Sequence, residues 1–138
     1  MQILQPAAWA RPRGYSNGVA ADGRAVFVAG QVGWNAEQRF DRRDLAGQTE
    51  QALRNIVAVL AEAGAKPEHI TRMTWYLIDK RDYVAQAAAI GAAYRAVIGR
   101  HFPAMTAVQV SGLIEDAALV EIEVTAVIPP PPPEPDRP

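Results

Sequence analysis

Apolar residues recur along the chain with two periods, one typical of helices and one typical of strands. A spacing of three or four residues, which keeps side chains on one helix face, relates Leu45, Thr49, Leu53, Ile56 and Leu60. This spacing predicts a helix of about twenty residues. Asp44 is suited to cap its first turn, and Gly64 tolerates the left-handed conformation that follows a helix.

Polar and apolar residues alternate near the C-terminal end, and this alternation predicts a strand over residues 119–128. One face of that strand carries the apolar side chains Val120, Ile122, Val124, Ala126 and Ile128. The opposite face carries Glu121, Glu123 and Thr125. We expect the apolar face to join the core and the polar face to lie on the other side of the sheet.

The remaining segments complete the order of elements. The pair Asp22-Gly23 is a hairpin signal and predicts that strands over residues 16–21 and 25–29 pair with each other. The other expected segments are an irregular arm over residues 1–15, a loop over residues 30–35, a strand over residues 70–78, a charged turn over residues 79–82, a helix over residues 83–98 and a strand over residues 104–113. The apolar positions expected on that second helix are Val84, Ala87, Ile90, Tyr94 and Val97.

The order β-β-α-β-α-β-β predicts an α+β fold with a mixed sheet and two helices on one face. We expect residues 1–128 to form a single domain and residues 129–138, which are rich in proline, to form a disordered tail. Two layers leave the second face of the sheet uncovered within one chain. A second copy of the chain is expected to cover it, which predicts a homo-oligomer.

Composition and charge exclude several function classes. The 14 basic and 15 acidic side chains give a net charge of −1, which argues against a nucleic-acid partner. The absence of cysteine excludes disulfides, thiol catalysis and thiolate metal sites. No P-loop and no dinucleotide fingerprint is present. The two histidines, His69 and His101, belong to different segments, so we expect no metal site.

No apolar run near the N-terminus has the form of a signal peptide, and none approaches the roughly 18 residues of a membrane span. We therefore expect a cytoplasmic protein without a membrane partner.

Glu121 is the strongest catalytic candidate among the residues themselves. In solvent, it would be an ordinary strand carboxylate. If a subunit interface covers its face, desolvation favours the protonated form and the side chain can serve as a general acid or base near neutral pH. Glu123, on the same face, could instead be a charge partner in that interface.

Several segments carry a resemblance to a known family: GYSNGV, VFVAGQVG, QTEQALRNIVAVLAEAGA, FPAMTAVQV and VEIEVTAV. In this order and spacing they resemble the RidA/YjgF/UK114 family over residues 14–128. The resemblance implies a chorismate-mutase-like homotrimer with ligand clefts between subunits. It also implies hydrolysis of reactive enamines and imines, such as 2-aminoacrylate, to ketones and ammonia without metal or cofactor.

The resemblance assigns roles to individual residues. Glu121 matches a glutamate thought to orient water or relay a proton, Tyr15 matches a tyrosine lining the cleft, and Gly30 and Gln31 match its loop. Met105 stands where the family has an arginine that clamps the substrate carboxylate. Losing such a charge-assisted contact costs about 2–4 kcal/mol of binding. Two smaller departures from the family pattern are Ala29 for a serine and Gly91 for an asparagine.

These departures favour a deaminase for a larger or less acidic substrate than 2-aminoacrylate. Besides the residues above, the substrate-binding residues are expected to include Trp34 and Met105 as apolar wall, Thr106, and Arg13 or its neighbour Arg11 as a replacement cation. The alternative is a trimeric small-molecule-binding or chaperone-like protein without chemistry. Ribonuclease activity, attached to some relatives, is disfavoured by the near-neutral charge.

Overall fold

The computed structural model describes residues 1–137, so Pro138, the last residue of the predicted tail, lies outside it. Six strands, three α-helices and one 3₁₀ turn follow along the chain. In chain order they are β1 (Gln2–Leu4), β2 (Gly18–Ala20), β3 (Arg24–Val32), α1 (Leu45–Glu62), a 3₁₀ turn (Pro67–His69), β4 (Ile70–Leu77), α2 (Lys80–Ala85), α3 (Ala87–Val97), β5 (Ala104–Gln109) and β6 (Val120–Ile128).

A four-stranded mixed sheet organises the chain, in the order β3-β6-β4-β5. β6 pairs antiparallel with both β3 and β4, and β4 pairs parallel with β5. Helices α1 and α3 pack on one face of this sheet, with side chains of α1, α3, β3, β4 and β6 forming one core. The prediction of an α+β fold with a mixed sheet and its helices on one face is confirmed.

The first predicted helix is confirmed with its boundaries. Asp44 caps α1 by accepting a hydrogen bond from the backbone N–H of Gly47 at 3.3 Å. The helix ends before Gly64, which has φ of +73°. The apolar stripe is buried, together with Gln48 and Ala52, in a set that comprises Leu45, Gln48, Thr49, Ala52, Leu53, Ile56 and Leu60.

The loop expected over residues 30–35 is wrong in its first half, because β3 continues to Val32. Pairing with β6 shifts register between Val28 and Gln31, which identifies a bulge at that point. The bulge accommodates the irregular backbone at Gly30, so that the side chain of Val32 is again on the core side of the sheet. Long-range pairing with a nine-residue alternating strand therefore overrides the local glycine signal.

The hairpin expected at Asp22-Gly23 is also wrong. β2 pairs antiparallel with β1, which lies in the segment expected to be an irregular arm, and the two form a separate small sheet. The turn itself needs Gly23, because φ is +141° and a Cβ there would overlap the carbonyl group of Ile128. β3 leaves this turn to pair with β6 rather than with β2.

The second predicted helix is two helices. The segment expected to be a charged turn begins α2, because the side chain of Asp79 accepts hydrogen bonds from the backbone N–H groups of Arg81 and Asp82. Gln86 separates α2 from α3, and its Oε1 accepts a hydrogen bond from the backbone N–H of Ala46 at 3.0 Å. Because α2 is a separate helix, Val84 does not join the core and is 72% exposed.

The strand expected over residues 104–113 ends at Gln109. Residues 129–137 form no helix or strand, and their disorder stays a prediction. The sheet face opposite the helices is uncovered within the chain, as expected, and Phe27 on this face is 78% exposed. We call this surface the open face.

Candidate functional site

Glu121 lies on the open face, at the bulge of β3. Its side chain lies against the backbone of Gly30, since an ideal Cβ built on Gly30 would be 2.8 Å from Glu121 Oε1 and 2.9 Å from its Cδ. The carboxylate therefore occupies the space that a side chain at position 30 would fill. Glu121 is half-buried.

Its neighbour on the same face, Glu123, has a different environment. The hydroxyl of Tyr76 donates a hydrogen bond to Glu123 Oε1 at 2.7 Å, and this bond raises the pKa of Tyr76 above its ordinary value. A groove of about 540 Å³ lies beside this pair and is lined by Phe27, Val28, Ala29, Arg72, Thr74, Glu123, Val124 and Thr125. Glu123 thus has a partner within the chain, whereas the carboxylate of Glu121 remains available for another molecule.

A second candidate region lies on the opposite side of the sheet, between α3 and the start of β5. Here a cavity of about 160 Å³, which we call the α3 cavity, is lined by Gly14, Tyr83, Ala87, Ile90, Gly91, Tyr94, Arg95 and Phe102. Most of these side chains are aromatic or aliphatic. Three of them carry polar groups: Tyr83 belongs to α2, and Tyr94 and Arg95 belong to α3.

Tyr94 fixes the shape of this cavity. Its ring stacks on Phe102 with centroids 5.8 Å apart, and its hydroxyl donates a hydrogen bond to the carbonyl of His101 at 2.5 Å. Burial raises the pKa of Tyr94 well above its ordinary value, so its hydroxyl is a donor at any physiological pH. The hydroxyl is engaged by the backbone, and Tyr94 is therefore a wall of the cavity.

Arg95 was not predicted as a binding residue from the sequence. Its Nη1 lies 3.2 Å from the ideal Cβ position of Gly91, so the guanidinium folds back over the glycine one turn earlier. The sequence did contain a signal for this contact. Residues four apart share a helix face, and glycine at position 91 leaves room on that face for the side chain of Arg95. Phe102 and Tyr83 were also missed, and only the arrangement of α2 and β5 brings them together.

The predicted binding residues near β5 line one groove at the edge of the sheet. Met105 pairs in register with the buried Met73 and packs partly against the core. Thr106, the next residue, is exposed, and both residues line a groove together with Arg72 and Thr125. Tyr15 is 41% exposed and is held beside β5, because the backbone N–H of Ser16 donates to the carbonyl of Pro103 at 3.0 Å.

Three further residues were predicted to bind substrate. Arg13 is exposed and does not line the α3 cavity. Gln31 is half-buried and donates from its side-chain amide to the carbonyl of Ala29 at 3.1 Å. Trp34 is half-buried, with its ring 5.9 Å from the ring of Phe40, and its carbonyl accepts a hydrogen bond from Asn55 Nδ2 at 2.8 Å.

A single chain therefore brings the predicted site residues together only in part. Glu121 and Gly30 meet on the open face at β3 and β6. The α3 cavity lies on the helix side, and β5 is separated from β6 by β4, a distance of about 10 Å between strand axes. Glu121 lines neither the α3 cavity nor the groove beside Met105 and Thr106.

Each histidine has one ring nitrogen engaged by the backbone. His69 Nδ1 accepts a hydrogen bond from the backbone N–H of Lys66 at 2.9 Å, and His101 Nε2 donates to the carbonyl of Ile70 at 2.6 Å. Over residues 1–137, no three histidine, aspartate or glutamate side chains are grouped so that they could hold a metal ion. No helix in this described part of the chain is long and apolar enough to cross a membrane.

Comparisons with known proteins support the family resemblance. The family model described as Endoribonuclease L-PSP matches residues 5–128. A RutC family protein of Synechocystis sp. is 34% identical, and the alignment covers 94% of this chain and 98% of that protein. The 2-iminobutanoate/2-iminopropanoate deaminase of Escherichia coli is 32% identical, with 76% of this chain and 80% of that protein covered.

Solved structures give the same result. The Rid family protein YyfB from Yersinia pestis has a TM-score of 0.81 and 34% identity, covering 92% of this chain and 98% of its own. The YjgF gene product of Escherichia coli has a TM-score of 0.65 and 31% identity, covering 82% of this chain and 87% of its own. Both the sequence match and the shared fold extend over most of the chain. They show that the chain belongs to the RidA/YjgF/UK114 family.

Proposed function

We propose that the chain is a cofactor-free hydrolytic deaminase of reactive enamines or imines. It acts in a cleft between copies of a homotrimer, on a substrate larger or less acidic than 2-aminoacrylate. The observation that carries the proposal is the carboxylate of Glu121, which is held against Gly30 on the open face. The Escherichia coli relative named as a 2-iminobutanoate/2-iminopropanoate deaminase supplies the reaction class.

Glu121 is suited to the proton transfers of imine hydrolysis. Its carboxylate accepts a proton from water as the water oxygen attacks the imine carbon, and the imine nitrogen takes up a proton. The resulting carbinolamine collapses, so that the C–N bond breaks, a carbonyl forms and ammonia leaves with the proton returned through Glu121. An enamine first gains a proton at carbon to become the imine. General acid–base catalysis of this kind contributes about 10²- to 10⁴-fold.

The need for a second copy follows from the separation of the two regions in one chain. Glu121 faces outward from the open face, whereas the apolar α3 cavity opens on the helix side of β5. Exposed apolar residues on the open face and on α2, Phe27 at 78% and Val84 at 72%, support contact between copies. Docking of one copy's open face beside the next copy's α3 cavity would unite carboxylate and cavity.

The substrate class follows from position 105. Met105 offers a thioether, which cannot pair with a carboxylate, and its side chain packs against the core. The aromatic and aliphatic walls of the α3 cavity offer contact to an apolar substituent instead. A substrate larger than 2-aminoacrylate gains binding energy from these walls, at about 25 cal/mol for each Å² of apolar surface buried.

The test is ammonia release from imines formed in situ by an amino-acid oxidase with catalase present, using several amino acids of increasing side-chain size. Glu121→Gln is expected to lower kcat by about 100-fold or more, because the amide cannot accept the proton. Glu123→Gln, on the same strand and face, is the matched control and is expected to keep kcat within about threefold. Full activity of Glu121→Gln would refute the catalytic role.

The alternative, a trimeric binding or chaperone-like protein without chemistry, makes a different prediction in the same experiment. Small ligands would then raise the Tm of the wild-type protein, while no imine would be hydrolysed faster than in buffer.

A further inference from the structure

The α3 cavity contains a cation that the family resemblance did not assign. We propose that Arg95 binds the carboxylate of a substrate whose apolar part fills this cavity, and so takes the place of the guanidinium that is missing at position 105. This inference rests on the proposed function and specifies its substrate as an imino acid with a branched aliphatic or single-ring aromatic side chain.

Arg95 is free to bind an anion. It forms no hydrogen bond or ion pair with any side chain in the described residues 1–137, and it is exposed. Arg42 and Arg54, by contrast, are both held by Glu50, with N–O distances of 3.0 and 3.3 Å. A free guanidinium beside a cavity is suited to bidentate pairing with a carboxylate.

Gly91 provides the room for this guanidinium. An ideal Cβ at position 91 would be 3.2 Å from Arg95 Nη1, and the next two nearest side-chain atoms, at 3.9 and 4.0 Å, belong to the same guanidinium. A larger residue at position 91, such as the asparagine of the family pattern, would displace the Arg95 head group from the cavity wall. Glycine at position 91 therefore leaves the space that the Arg95 guanidinium occupies.

The size and lining of the cavity define the rest of the ligand. Its volume of about 160 Å³ is close to that of a cavity that accommodates one benzene ring. The apolar and aromatic walls are formed by Ile90, Tyr83 and Phe102, and Arg95 lines the same cavity. A carboxylate attached to a branched alkyl group or one ring satisfies both features. Arg13, the cation expected from the sequence, does not line the cavity.

The experiment measures the affinity of the full-length protein for two stable 2-oxo acids, 4-methyl-2-oxopentanoate and phenylpyruvate, by isothermal titration calorimetry. Arg95→Met is expected to raise both Kd values about ten- to hundred-fold, because a charge-assisted contact is lost. The wild-type protein is expected to bind the corresponding amides no better than Arg95→Met binds the acids. Arg100→Met removes the same charge from an exposed site that does not line the cavity, and is expected to leave both Kd values unchanged.

Equal Kd values for wild-type protein and Arg95→Met would overturn the inference, as would equal weakening by Arg100→Met or failure of the wild-type protein to bind either acid. The inference and the proposed function fail separately. Binding that depends on Arg95, without hydrolysis of any imine, leaves the inference standing and removes the deaminase. Hydrolysis with a KM that Arg95→Met does not change leaves the deaminase standing and removes the inference.

Discussion

Substitution of Gly30 by alanine displaces the carboxylate of Glu121 while leaving Glu121 itself unchanged. The backbone of Gly30 lies outside the left-handed region, so alanine is compatible with its conformation. The added Cβ would lie 2.8 Å from Oε1, 2.9 Å from Cδ and 3.0 Å from Cγ of Glu121. Real Cβ atoms essentially never approach other atoms this closely, so the side chain must withdraw by about 0.6 Å to reach ordinary contact.

The effect on catalysis is expected to exceed the effect on stability. Misplacement of a catalytic group by about 1 Å costs roughly 100-fold in rate, so a shift of this size is expected to lower kcat about ten- to thirty-fold. The displaced side chain costs about 0.5–1.5 kcal/mol of rotamer strain, and replacing glycine offsets about 0.4–1 kcal/mol through the unfolded chain. The free energy of unfolding should therefore change by less than about 1 kcal/mol.

The assay is ammonia release at saturating imine, combined with urea denaturation of the same samples. Gly112→Ala is the matched control, since Gly112 also lies outside the left-handed region and a Cβ there meets no atom within 4 Å. The control is expected to keep the wild-type kcat. Gly30→Ala with unchanged kcat would show that the position of the Glu121 carboxylate does not limit the reaction.

Two further predictions concern stability. Gln48→Ala is expected to lower the free energy of unfolding, measured by urea denaturation, by about 2–4 kcal/mol. The reason is that the buried Gln48 amide accepts a hydrogen bond from the backbone N–H of Leu119 and donates one to the carbonyl of Ala117. Gln51→Ala should lower the free energy of unfolding by less than about 1 kcal/mol, and equal losses for the two variants would contradict this account. Burial raises the pKa of Tyr94 above its ordinary value of 10.0, so its contribution to stability is complete below pH 10 and is lost as the pH rises further. Urea denaturation at pH 8 and pH 11 should show a smaller loss for Tyr94→Phe than for the wild-type protein, and parallel losses would argue against this effect.

The fold was predictable wherever the local sequence pattern agreed with the burial of the side chains in the structure. The apolar spacing of α1, its cap at Asp44 and its stop at Gly64 are all local signals, and the alternation of β6 is the pattern of a strand with one buried face. The signals at Gly30 and at Asp22-Gly23 were misleading for a common reason. Pairing of β3 with β6 connects residues about 100 positions apart, and a local reading of glycines and turns contains no information on such pairing.

The neighbourhood of Glu121 was predictable from two sources, because the alternation of β6 singled out its carboxylate and the family resemblance added Gly30. In the structure the Glu121 carboxylate fills the space beside Gly30. Arg13 was expected as the replacement cation because it is close to Tyr15 in sequence, and that role stays a prediction. Arg95 was not expected, because the cavity that it lines is assembled from four separate segments that no local pattern connects.

Subunit complementation tests most directly whether carboxylate and cavity come from different copies. Glu121→Gln removes the carboxylate, and Gly91→Trp fills the α3 cavity, because the nearest atoms to a Cβ at position 91 belong to the flexible end of Arg95. Each variant alone is expected to form a trimer by light scattering and to be inactive. Equal co-expression of both should restore about a quarter of the wild-type activity, because a quarter of adjacent pairs then combine an intact carboxylate with an intact cavity. Mixed trimers without activity, or monomers in solution, would contradict the proposed cleft between copies.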